Sequence, residues 1–113
     1  GKVSTAKLLT EFQCETNMIT KTADGMVSLS VYMHTGAIGG NAGTWWTAGT
    51  IPEGYRPNSI VYGTGMVCGD GWLNAVPTAF MISNGLLYLY GQNSAATMLV
   101  INMTYVAMGS VVA

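Results

Sequence analysis

The sequence predicts an all-β protein, a compact antiparallel β-barrel or sandwich of about seven to eight strands. Three observations predict it. Apolar and polar residues alternate with period two along several stretches, most clearly residues 26–34. Turn signals rich in Gly, Asn and Asp recur about every 8–12 residues. No 3.6-residue periodicity follows Phe12, so no crossover helices are available to support a parallel sheet.

The elements follow in chain order. Residues 3–12 have some helical character, with Ser4 able to cap and Ala6, Leu8 and Leu9 as fair helix formers. The same stretch reads equally as the tail of an N-terminal stalk, so residues 1–15 are taken as the end of a neck or linker and 16–113 as the head. Residues 16–22 form a strand, and Ala23-Asp24-Gly25 turns it into the next, where Val27, Leu29, Val31 and Met33 share the buried face. Residues 35–43 are a glycine-rich loop, and residues 44–48 a strand whose adjacent Trp45 and Trp46 must point to opposite faces.

The corner Ile51-Pro52-Glu53-Gly54-Tyr55-Arg56-Pro57 is the stiffest stretch. Its prolines fix φ, Pro57 pushes Arg56 towards extended backbone, and Gly54 permits positive φ. Residues 59–67 are β-like, with glycines that signal bulges or close packing. Residues 68–75 form a second glycine-rich loop carrying Asp70, Trp72 and Asn74. Residues 76–83 and 86–90 are strands joined by Asn84-Gly85, the strongest hairpin signal in the chain. After a polar loop at 91–96, residues 97–108 form the last strand, with Leu99, Ile101, Met103 and Tyr105 facing the core.

Composition narrows the function. Hydrophobic residues make up 50% of the 113 positions and charged residues only 8%, against a usual ~25%. A net charge of −1 gives no electrostatic footprint for nucleic acid. So charge-poor a surface is best reconciled with burial against copies of the same chain. No apolar run reaches the ~20 residues of a spanning helix, so membrane insertion is not expected. No signal peptide is visible, the chain does not begin with Met, and it is expected to be a fragment of something longer. Cys14 and Cys68 are either one bridge or two small core residues, and so few cysteines lean towards folding in a reducing cytoplasm.

Catalytic and cofactor chemistry finds little purchase. With one His, distant cysteines and no acidic cluster, no metal site or cofactor is expected. His34 has no evident serine partner for nucleophilic catalysis. Glycoside hydrolysis needs two carboxylates in close array, and only Glu11, Glu15, Asp24, Glu53 and Asp70 exist to supply them. A non-enzymatic protein is expected, with a depolymerase using carboxylates across a subunit interface as the remote alternative.

What remains is a saccharide-binding signature. Aromatic rings stack on the C–H faces of sugars, while Arg, Asp, Asn and His exchange hydrogen bonds with their hydroxyls. Trp45 or Trp46, Tyr55, Arg56, Asp70, Trp72, Asn74 and His34 supply those types, mostly on loops or strand ends. Each has a structural reading beside it. Trp72 can plug the barrel's end, Asp70 can turn its loop or pair with Arg56, and His34 can be a solvated strand end.

The chain resembles the C-terminal head domains of tailed-phage receptor-binding, tail-fibre or baseplate proteins, notably of phages that infect lactic-acid bacteria. The features that carry the resemblance are the hairpin strand from Asp24-Gly25, the Pro-Glu-Gly-Tyr-Arg-Pro corner at 52–57, the Asn84-Gly85 hairpin and the closing strand. The resemblance implies a homotrimer on a stalk and a place at the virion's tail tip or baseplate after assembly in the host cytoplasm. It also implies contacts with other tail proteins through the N-terminal side and attachment to host cell-wall saccharide. The sites of such heads use His, Trp, Arg and Asp, matched here by type in His34, Trp45 or Trp46, Arg56 and Asp70. The alternative is a structural cap that trimerises without binding a ligand.

Overall fold

A computed structural model describes residues 2–36, 43–91 and 96–109. Most of the two expected loops at 35–43 and 91–96 lies outside the described residues. Eight strands form one curled antiparallel sheet: β1 (Ser4–Ala6), β2 (Gln13–Lys21), β3 (Met26–His34), β4 (Trp45–Thr50), β5 (Val61–Cys68), β6 (Val76–Ser83), β7 (Leu86–Tyr90) and β8 (Met98–Val106). Their order across the sheet is β1-β2-β3-β8-β5-β6-β7-β4. β3, β6 and β7 have the bounds expected from the alternation, and the all-β class is that of the sequence reading.

The faces follow from the period-2 pattern. Val27, Leu29, Val31 and Met33 of β3 are buried, and β8 lies opposite with Leu99, Ile101, Met103 and Tyr105 inward. Phe80, Ile82, Leu87 and Leu89 complete the core from β6 and β7. Gly65 is present because there is no room for more. A Cβ there would lie 2.7 Å from the Val100 carbonyl oxygen and run into the Phe80 ring. The glycine signal in β5 therefore marks close packing.

The hairpin turns also read as expected. Gly25, at φ 93°, reverses β2 into β3 and donates its N–H to the Thr22 carbonyl at 3.0 Å. Asn84 and Gly85, at φ 51° and 77°, both adopt the left-handed region that a two-residue hairpin loop requires.

The N-terminal segment departs from expectation. Residues 3–12 form no helix. β1 pairs with β2, and the chain then crosses to the free edge of β4, where Leu9 and Thr50 exchange two backbone hydrogen bonds of 2.9 and 2.8 Å. Thr10 Oγ1 adds a bond to the Ala48 carbonyl at 3.0 Å. The physical reason is that a helix this short is marginal in water, whereas here Leu8 is fully buried. Its backbone is clamped by the Asn17 side chain, which accepts from the Leu8 N–H at 2.7 Å and donates to its carbonyl at 2.9 Å. The stretch expected to end a neck thus supplies the contact that draws the two edges of the curled sheet together.

The 51–57 corner is tied down on every side. Ile51 is fully buried and donates to the Gly85 carbonyl at 2.8 Å. Lys21 Nζ donates to the Gly54 carbonyl at 2.7 Å and lies over the Tyr55 ring. The buried Tyr105 hydroxyl donates to the Tyr55 carbonyl at 2.6 Å. The Met108 N–H donates to the Arg56 carbonyl, also at 2.6 Å.

Candidate functional site: an aromatic row at one end of the sheet

Three strand ends meet at this site: the C-terminus of β3, the N-terminus of β8 and the loop after β5. In the register His34 pairs with Met98, and Cys68 pairs with the same residue from the other side. Tyr32 and His34 lie two positions apart on β3 and so project from its outer face together. Cys68 and Met98 share that outer parity yet are buried. The loop after β5 folds back over them.

That loop makes a single 3₁₀ turn, Asp70–Trp72. Its seating is given by three hydrogen bonds: Gly69 N–H to the Leu73 carbonyl at 2.7 Å, Thr97 N–H to the Cys68 carbonyl at 2.9 Å, and the Thr97 hydroxyl to Asp70 Oδ1 at 2.7 Å. Trp72 then meets Tyr32 edge to face at 5.1 Å, and the other flank of Tyr32 meets His34, also at 5.1 Å. The Tyr32 hydroxyl reaches Met98 Sδ at 3.5 Å. His34 Nε2 lies 3.2 Å from Glu15 Oε1 on the neighbouring strand. The result is a row, His34–Tyr32–Trp72, with the Glu15 carboxylate against His34 and the Asp70 carboxylate on the loop that carries Trp72.

Trp72 is held there against its backbone preference. Its φ is 65° and that of Gly71 is 72°, two successive left-handed residues. For a bulky side chain this costs on the order of 1–3 kcal/mol. It is nonetheless 50% exposed, so the strain is not offset by complete burial, and Trp72 does not plug the barrel's end. Asn74, at φ 56°, sits exposed on the same loop.

The other expected site residues lie elsewhere. Trp46 faces inward and packs on Phe12 at 5.4 Å, while Trp45 faces outward against Tyr90 at 5.2 Å. Tyr55 and Arg56 belong to the corner at the opposite end of β8. Nine residues of β8 separate the Thr97–Asp70 bond from the Met108–Arg56 bond, roughly 30 Å of strand. Asp70 therefore does not pair with Arg56. Tyr32, Glu15 and Thr97 are the residues that sequence reasoning missed. The signal for Tyr32 was available: it shares the polar face of β3 with His34, two residues away.

No group of three or more His, Cys, Asp or Glu side chains placed to hold a metal occurs among the described residues. Cys14 and Cys68 are free thiols. Burial pushes both up, and the Asp70 charge adds to the rise at Cys68, so neither is a thiolate nucleophile at neutral pH. The site can stack on an apolar face and exchange hydrogen bonds at its rims. No protein-family model matches the chain, and no curated protein is significantly similar to it.

Proposed function

We propose that this chain is the receptor-binding head of a tailed-phage tail-fibre or baseplate protein, which attaches the virion to host-surface saccharide without catalysis. The observation that carries the binding part is the row of half-buried His34 and Tyr32 and exposed Trp72, with the Glu15 and Asp70 carboxylates beside it. One ring of a saccharide lies with its C–H face on Trp72, and hydroxyls of successive rings donate to the Asp70 and Glu15 carboxylates. The phage assignment rests on the resemblance carried by the 52–57 corner and the two hairpins.

A homotrimer is part of the proposal. Strands β3 to β8 contain no Asp, Glu, Lys or Arg. The outer face of β5, β6, β7 and β4 presents Tyr62, Met81 and Tyr88 in adjoining register, with Trp45 beside them opposite Tyr90. A second copy of the same uncharged surface meets it with no ion to desolvate. Three weak sites on one head then give adhesion by avidity.

The test is binding of the purified protein to host cell-wall polysaccharide, with Trp72→Ala and Tyr32→Ala set against Trp45→Ala. Loss in the first two with retention in the third supports the row. Equal binding in all three removes it, and release of reducing ends from the polysaccharide overturns the non-enzymatic reading.

A further inference from the structure

The corner at the far end of β8 carries a second feature, distinct from the aromatic row. Arg56 lines a cleft of about 500 Å³, within the usual range for small-ligand sites. Asn58, Ser59 and Asn84 supply neutral hydrogen-bonding groups around it, and Ile60 and Met108 form apolar wall. Among the described residues no carboxylate lines the cleft and none pairs with Arg56. The chain's single arginine is thus half-buried with its charge unmatched by any described acid.

The guanidinium is also held in place. Its Nε donates to the Ile51 carbonyl at 2.8 Å, taking one of five donors. It lies against Gly85 so closely that a Cβ there would be 2.6 Å from Nε. Its own backbone is held by Pro57 and by the Met108 N–H at 2.6 Å. A planar fork fixed beforehand loses little entropy on binding, and its geometry matches a carboxylate or a phosphate.

We infer that this cleft is an oxyanion site, taking a carboxylate or phosphate group carried on a small, otherwise neutral ligand. Arg56 holds the anion through its fork, Asn58 and Ser59 donate to the remaining oxygens, and Ile60 and Met108 contact the carrier. The inference stands apart from the saccharide reading, because the two sites share no residue and either can fail alone.

The experiment is an NMR titration of the intact chain with sodium phosphate, sodium acetate and glycerol phosphate, each against sodium chloride at equal ionic strength. Saturable shifts confined to the Arg56 Nε–H and the amides of Asn58, Ser59 and Asn84 are expected. Asn58→Ala with Ser59→Ala should weaken binding roughly tenfold at unchanged melting temperature, the size of a lost charge-assisted hydrogen bond. Arg56→Lys keeps the charge but not the fork, and should weaken phosphate more than tenfold. The absence of saturable shifts overturns the inference. So do shifts spread equally over Lys2, Lys7 and Lys21, and so does undiminished binding by a folded Arg56→Lys protein.

Discussion

The Tyr32 and Trp72 rings meet edge to face with their centroids 5.1 Å apart, joining the loop after β5 to the outer face of β3. Between them the loop covers Met98 and Cys68, which the strand alternation alone would leave exposed. The contact therefore serves both packing and the display of an indole. Aromatic pairs contribute about 0.5–1.5 kcal/mol beyond the area they bury. A double-mutant cycle with Tyr32→Leu and Trp72→Leu, read by urea denaturation, should return a coupling of that size. A coupling near zero would mean that the loop is seated by its hydrogen bonds and not by the ring contact.

Removal of residues 1–12 should lower stability by several kcal/mol and promote aggregation. The deletion strips Leu8 from the core and the Leu9 bridge from the β4 edge. Leu8→Ala alone should cost about 2–5 kcal/mol. Thermal melts of both variants check this, and an unchanged melt would return the segment to the role of a dispensable neck.

Gly85→Ala should destabilise by about 1–3 kcal/mol. The residue has φ 77°, and an added Cβ would sit 2.6 Å from Arg56 Nε. Asn84→Gly at the same turn needs no new space and should stay within about 1 kcal/mol of the parent. Chemical denaturation of the pair separates the steric effect from the turn effect.

Tyr105 gives the fold an alkaline limit. Burial raises its phenol well above the ordinary value, and its hydroxyl donates to the Tyr55 carbonyl at 2.6 Å. The folded state thus holds its proton to higher pH than the unfolded chain, where tyrosine ionises near pH ~10. The stabilisation is complete below that value and is lost as pH rises towards the folded pKa, at up to about 1.4 kcal/mol per pH unit. Tyr105→Phe should lower stability at neutral pH by about 1–2 kcal/mol and remove this part of the alkaline slope. Denaturation midpoints from pH 7 to 11 measure both.

If copies assemble through the uncharged face, Met81→Glu should break the assembly. Met81 lies between Tyr62 and Tyr88 in the register, so the new charge would be buried without a partner. Light scattering should show the mass of three chains for the parent and of one for the variant. A monomeric parent would remove the trimer from the proposal.

The strands were legible in the sequence where one face is buried and the other solvated. In β3 and β8 each side chain's face follows from parity, and only one register buries Val27, Leu29 and Val31 together with Leu99, Ile101 and Met103. Asn84-Gly85 was legible for a local reason, the need for two left-handed residues in succession. The corner's stiffness was legible in its prolines.

Residues 3–12 were not, because their conformation is set by an edge strand far along the chain and by the side chain of Asn17. Local propensity carries no record of either. The site was legible only by residue type. His34 and Trp72 come together, with Asp70 beside them, because the β5–β6 connection folds over β8 instead of standing off its end. Arg56, matched to them by type, lies nine strand positions away because the register of β8 sets that separation. Period-two alternation and turn chemistry determined which residues face inward and where the chain reverses, since both are local constraints on the backbone. Which loops meet was decided by the curl of the sheet, since loop contacts depend on pairings between segments distant in sequence.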